Sequence, residues 1–214
     1  MKLLEMSMRS VLAELASVSP VPGGGSAAAL AGACAAALCE MVCRLTLSNA
    51  KMSDAWPSMQ ETLGAAGQAR MRLQDLVDED AEAYAAVVAA RRLPKSTPPE
   101  QEARKAAVQA AVVRSAKVPL ETLETIAVLS DLVEQAAVRG NPSCITDAGS
   151  AAAMIRAGAC AASWNVRINL ASIVDESLRH GLAESASRAL ARALESAGRT
   201  ESLVDTHLGT WSTQ

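Results

Sequence analysis

The sequence predicts an all-α protein of about seven helices in a single domain spanning residues 1–214. Three observations carry that prediction. About a fifth of the residues are alanine, the strongest helix former, while aromatics make up 2% and phenylalanine is absent. Apolar residues recur at helical spacing, and no stretch alternates as a half-buried strand does. Proline and glycine breaks divide the chain into helix-length segments, with no tandem repeat and no linker between them. A content of 50% hydrophobic residues in 214 is enough to fill one core.

Residues 3–16 form a short amphipathic helix, with Leu4, Met8, Val11, Leu12 and Leu15 on one face. It ends at Pro20-Val21-Pro22-Gly23-Gly24-Gly25-Ser26, where two prolines fix the backbone and three glycines leave it open to close approach. Ser26 reads as the N-cap of the next helix, residues 26–47, roughly 33 Å long at about 1.5 Å per residue. Small residues surround that helix almost completely, so it is expected at the centre of the fold. Residues 49–57 are a break, and 58–92 a long helix with a kink expected at Gly64 or Gly67. After the 93–99 loop, Pro99 opens a helix to about residue 117, with Glu100 and Glu102 at its positive end. Pro119 restarts the pattern in 120–138, which Arg139-Gly140-Asn141-Pro142 stops. Residues 143–178 are a second long small-residue helix, and 180–207 close the chain. The small-residue faces of the two long helices exceed what one small core covers, which predicts a homodimer.

A net charge of −3 and only four aromatic residues leave neither the electrostatic footprint nor the stacking platform of a nucleic-acid binder. Glu5 sits where a secretory signal would have its apolar core, so a cytoplasmic location is expected. The five cysteines are odd in number and lie in apolar helical stretches, as buried free thiols do. Cys39 and Cys43 share a helix face, but no nearby histidine or carboxylate completes a tetrahedral set, so no metal is expected. Residues 26–39 and 148–155 are apolar enough to suggest a membrane span, yet Glu40, Arg44 and Arg156 interrupt them. Both read as core helices, with no membrane partner expected.

The Gly23-Gly24-Gly25-Ser26 helix start exposes unpaired N–H groups that suit a carboxylate or a phosphate. Glycines there also serve simply to let two helices pack closely. The motif is neither a Walker A loop nor a dinucleotide fingerprint, since Gly-Lys-Ser/Thr and the G-x-G-x-x-G spacing are both missing. Asp80 and the lone Tyr84 share one helix face within an acidic run, two turns before the basic loop Arg91-Arg92-Leu93-Pro94-Lys95. Lys51 and Arg104 are further cations beside loops. Asn165 and Asn169 are helical neighbours, expected to bond across helices or a subunit interface. Asp147 precedes Asn165 by 18 residues, about 27 Å of helix, so one small ligand cannot reach both ends. Asp147 itself suits a cap or a site. His180 and His207 have no recognisable nucleophilic partners, so any acid–base chemistry rests on Asp and Lys.

The stretch from Pro20 to Ser26, followed by an alanine-rich helix and Met41-Val42-x-x-Leu45-Thr46, resembles the opening of the cyclodeaminase/cyclohydrolase family. That family includes the deaminase half of formiminotransferase-cyclodeaminase and stand-alone methenyltetrahydrofolate cyclohydrolases. Asp80-x-x-Ala83-Tyr84, Leu93-Pro94-Lys95, Arg104, Val118-Pro119-Leu120, Asn141, Thr146-Asp147-x-Gly149 and Asn165-Val166-x-Ile168-Asn169 resemble further landmarks in order, over roughly residues 5–180. Where the family usually has Gly-Lys, this chain reads Leu47-Ser48-Asn49-Ala50-Lys51. The resemblance implies an all-helical homodimer acting on the one-carbon unit of a polyglutamylated tetrahydrofolate, with no cofactor beyond that substrate. It implies Asp80 as the leading acid–base or pterin-side group, with Asp147 and Lys51 as further catalytic candidates. Lys95 and Arg104 would hold glutamate carboxylates, and the backbone from Gly23 to Ser26 would donate N–H groups beside Tyr84. Cyclohydrolase is the first expectation, because no formiminotransferase segment accompanies the chain. Cyclodeaminase is the alternative, and a non-catalytic helical dimer or folate-binding scaffold the second alternative.

Overall fold

A computed structural model describes residues 2–209. Six α-helices account for most of them: α1 (Met8–Leu15), α2 (Gly24–Leu47), α3 (Trp56–Arg91), α4 (Pro98–Arg139), α5 (Ile145–Leu170) and α6 (Glu176–Leu208). Short 3-10 turns at Leu3–Glu5, Ala50–Ala55 and Pro142–Cys144 complete the regular structure, and no strand occurs among the described residues.

Helix α2 is the hub. It packs along α3 on one side and α5 on the other, and also meets α4. Its alanines and glycines allow this by keeping the helix thin: a Cβ on Gly32 would stand 2.8 Å from Ile126 Cγ1, and one on Gly158 would stand 3.1 Å from the Ala28 carbonyl. Helix α5 therefore crosses α2 almost backbone to backbone, and Ile126 of α4 closes the gap above them. The pairing is antiparallel, since Gly24 at the start of α2 lies against Asn165 near the end of α5. Glu40 is buried in α2 beneath Arg70 of α3 and Arg44, with each guanidinium bonded to its carboxylate. By length and composition α2 could span a membrane, but 61% of its most apolar window is buried inside this bundle.

The structure merges two expected helices. Residues 98–139 run as one helix through Pro119, giving six helices rather than about seven. A proline removes the N–H that would bond the carbonyl four residues earlier. That carbonyl, on Ser115, accepts instead from Asn169 Nδ2 at 2.9 Å, so the helix continues. Ser26 is not the N-cap of α2. Gly23 occupies that position and Ser26 lies in the first turn, with its hydroxyl turned toward α3. Helix α3 runs uninterrupted through Gly64 and Gly67. Helix α5 stops at Leu170, and Asp175 starts α6 by accepting from the Leu178 N–H. The Thr97–Glu100 capping box sets the start of α4, one residue ahead of the expected Pro99.

Candidate functional site

Four helices meet where α2 begins. Its three-glycine start forms one wall of a cavity of about 290 Å3, with Pro20 and Val21 beside it. Asp80 and Tyr84 enter from α3, Ser115 from α4, and Asn165, Ile168 and Asn169 from the last turns of α5. In a molecule whose core is mostly Ala, Leu and Val, this is where carboxylate, phenol, hydroxyl and amide groups converge.

Asp80 is the centre of the site. A Cβ on Gly25 would lie 2.5 Å from Asp80 Cγ, so only glycine leaves room for the carboxylate against the first turn of α2. The unpaired N–H groups of that turn favour a negative charge beside them. Burial has the opposite effect and is the larger influence: it pushes the Asp80 carboxyl above the usual carboxylate range, while the Ser26 hydroxyl and backbone N–H pull it back. The Ser26 hydroxyl lies 2.9 Å from the Val77 carbonyl and 3.1 Å from Asp80 Oδ2, so it has two acceptors for one proton. Donated to Asp80, that proton stabilises the carboxylate. Donated to Val77, it leaves the Ser26 oxygen free to accept from a protonated Asp80. Such a group can exchange a proton with a ligand without rearrangement of the surrounding fold.

The asparagines complete the far wall. Asn169 Nδ2 donates to the Ser115 carbonyl at 2.9 Å and to the Asn165 carbonyl at 2.8 Å, while Asn165 Nδ2 donates to the Ala161 carbonyl at 2.9 Å. The sequence pattern points to bonding between helices for the two asparagines rather than to a place in the site, and Ser115 carries no signal in the sequence. The spacing of the two asparagines on a small-residue helix was visible; their approach to Asp80 required the antiparallel packing of α5 on α2.

Of the expected site residues, the structure gathers Gly23, Gly24, Gly25, Asp80 and Tyr84 around the cavity, with Ser26 buried behind Asp80. It does not gather the rest. Lys51 is exposed in the 3-10 turn beyond the opposite end of α2, and that 24-residue helix is about 36 Å long. Asp147 is in the first turn of α5, about 27 Å of helix from Asn165. Lys95 is exposed in the α3–α4 turn. Arg104 donates through Nε and Nη2 to the Arg91 carbonyl, closing the C-terminus of α3. No cluster of three or more His, Cys, Asp or Glu suited to a metal occurs among the described residues.

In this all-helical fold, a half-buried carboxylate set against a glycine-lined helix start is chemically able to exchange a proton with a small organic ligand. The family model described as Formiminotransferase-cyclodeaminase matches residues 7–188, and the chain belongs to that family of folate one-carbon enzymes. It is 37% identical to a methenyltetrahydrofolate cyclohydrolase of Methylorubrum extorquens, over 79% of this chain and 81% of that protein. It is 36% identical to the formimidoyltransferase-cyclodeaminase of Rattus norvegicus over 81% of this chain, but spans only 32% of that longer protein. The crystal structure of formiminotetrahydrofolate cyclodeaminase from Thermotoga maritima superposes with a TM-score of 0.87 at 28% identity, covering 97% of this chain and all of that one.

Proposed function

We propose that this protein hydrolyses 5,10-methenyltetrahydrofolate to 10-formyltetrahydrofolate, with Asp80 as the group that takes and returns the proton. The single observation that carries the reading is the half-buried Asp80 carboxylate facing a cavity otherwise lined by uncharged residues, both polar and apolar. The substrate carries a delocalised cation over the carbon bridging N5 and N10, and a carboxylate in a partly dry cavity stabilises it. Water adds to that carbon as Asp80 accepts one of its protons. The bond from carbon to N5 then breaks while Asp80 returns that proton to N5. The second water proton is released as the formyl carbonyl forms. Asp80 ends as it began, consistent with a carboxyl whose two protonation states are both supported by Ser26.

A second reading has specific support. The Thermotoga maritima neighbour is a cyclodeaminase, and ring closure by N10 on a 5-formimino carbon, with loss of ammonia, passes through a similar tetrahedral centre. Both the cyclohydrolase relative and the Thermotoga maritima cyclodeaminase are covered over most of their own length, and the higher identity to the cyclohydrolase, 37% against 28%, favours hydrolysis. Spectrophotometric assays with 5,10-methenyltetrahydrofolate and, separately, 5-formiminotetrahydrofolate test the choice. Faster turnover of the methenyl compound is expected, and ammonia release from the formimino compound alone would reverse the assignment.

A glutamate tail fits the same placement. From Asp80 to Arg91 is 11 residues of α3, about 16 Å, and that end carries the exposed Arg91, Arg92 and Lys95, with Arg104 tied to the Arg91 carbonyl beside them. Those cations would hold polyglutamate carboxylates, with an affinity that salt weakens. The working unit is a homodimer. What supports this is an uncharged outer stripe on adjoining helices: Ala27, Ala31, Leu38 and Met41 of α2 beside Trp164, 63% exposed, and Ile168, 73% exposed, of α5.

A further inference from the structure

Pro119 sits in the middle of a 42-residue helix, where a proline normally breaks the hydrogen-bond ladder. The ladder loses the bond to the Ser115 carbonyl, and the carbonyl is buried with its residue at 7% exposure. An unpaired buried carbonyl is costly, so it holds firmly any donor it finds. The donor is Asn169 Nδ2, 2.9 Å away and 54 residues along the chain. The second amide hydrogen of Asn169 goes to the Asn165 carbonyl at 2.8 Å.

Both hydrogens of one amide group are thereby committed to carbonyl oxygens. A flipped amide would set its oxygen against those two acceptors, so only one orientation is stable. Its Oδ1 accepts from no described residue, and no described buried side-chain oxygen lacks a partner, so Oδ1 is open to solvent. The opening beside Asn169 is the cavity that it lines with Asp80 and Ser115. Asn165 is held in the same sense by the Ala161 carbonyl.

We propose that Pro119 is a positioning residue: by freeing the Ser115 carbonyl it locks the Asn169 amide with its oxygen toward the cavity, where that oxygen binds an N–H donor of the substrate's aminopyrimidinone ring. The nature of the donor rests on the folate reading above. The lock itself does not. A fixed acceptor facing Asp80 selects ligands by a donor edge, and sets the distance of the reacting carbon from the carboxylate.

Two measurements test this. In the first, no ligand is present. Hydrogen exchange of the 15N-labelled Asn169 side-chain amide is slow in the wild type and about tenfold faster in Pro119→Ala, where the restored N–H competes for the Ser115 carbonyl. Equal exchange in both proteins, each with the same helical circular dichroism, overturns the lock. In the second, KM is compared for the methenyl substrate and its analogue bearing a methyl group in place of the ring 2-amino group. The wild type discriminates by about tenfold, the scale of one neutral hydrogen bond, and Asn169→Ala abolishes the discrimination. Discrimination that survives in Asn169→Ala overturns the binding role. Pro119→Ala is expected to raise KM with little change in melting temperature, whereas a proline that only shapes the helix would alter melting and leave KM alone. If wild-type protein binds neither folate, the functional reading and the donor assignment fail together, while the exchange result still decides the lock.

Discussion

Replacing Gly25 with alanine isolates the position of the Asp80 carboxylate from its chemistry. The added Cβ would stand 2.5 Å from Asp80 Cγ and 2.7 Å from Oδ2. Ordinary carbon contacts lie at about 3.5 Å or beyond, so the carboxylate must retreat by about 1 Å. A displacement of about 1 Å in a reacting group costs on the order of 100-fold in turnover, or about 2.7 kcal/mol of transition-state stabilisation. Stability moves less, because alanine in a helix is favoured over glycine by roughly 0.5–1 kcal/mol, which offsets part of the strain. The assay is steady-state loss of 5,10-methenyltetrahydrofolate absorbance, with melting followed by circular dichroism on the same preparations. Expected is a folded protein with kcat reduced about 100-fold. Near-normal kcat in Gly25→Ala at unchanged melting temperature would refute the reasoning, since the carboxylate would then be displaceable without consequence.

The matching control lies in α3, where a Cβ on Gly64 meets nothing within 4 Å. Gly64→Ala should therefore raise the melting temperature by about 2–4 °C, with kcat unchanged. Burial raises the folded pKa of Asp80 above its unfolded value, so the native state holds that proton more tightly. Its contribution to stability is full below the ordinary carboxylate range and is lost as pH rises through the raised folded pKa. Thermal melts across that window should show wild type losing stability relative to Asp80→Asn, while wild-type kcat/KM rises as the base ionises. Light scattering at micromolar concentration should give twice the chain mass, and Trp164→Glu on the exposed stripe should shift it toward the monomer.

The fold was legible wherever local chemistry decides it. Alanine content points to helices throughout, and the proline-glycine loop after α1 and the glycine-proline stop after α4, which act within a few residues, each mark a real boundary. Pro119 misled for the same reason. Its effect on the helix depends on Asn169, which lies 54 residues along the chain from Ser115 and which no local pattern connects to it. Ser26 misled in a related way, because its hydroxyl serves Val77 and Asp80 on α3 rather than its own helix end. Asp80, Tyr84 and the three glycines were legible because unusual residues in an apolar chain need a reason. The expected bond across helices exists for Asn169, which reaches the Ser115 carbonyl of α4, but the approach of Asn165 and Asn169 to Asp80 follows only from α5 running antiparallel to α2. Arg104 illustrates the opposite limit: a cation beside a loop looks free in the sequence, and the structure gives its guanidinium to a backbone carbonyl.

The central claim is that proton transfer belongs to Asp80 at the start of α2 and not to the distant carboxylate of Asp147. Turnover of 5,10-methenyltetrahydrofolate by Asp80→Asn and Asp147→Asn, measured side by side with wild type, tests it most directly. The account predicts that Asp80→Asn loses about 100-fold or more in kcat without a lower melting temperature, the scale of a missing general acid–base group, and that Asp147→Asn retains the larger share of activity. Near-normal turnover in Asp80→Asn, together with a severe loss in Asp147→Asn, would contradict it and move the chemistry to the other end of the bundle.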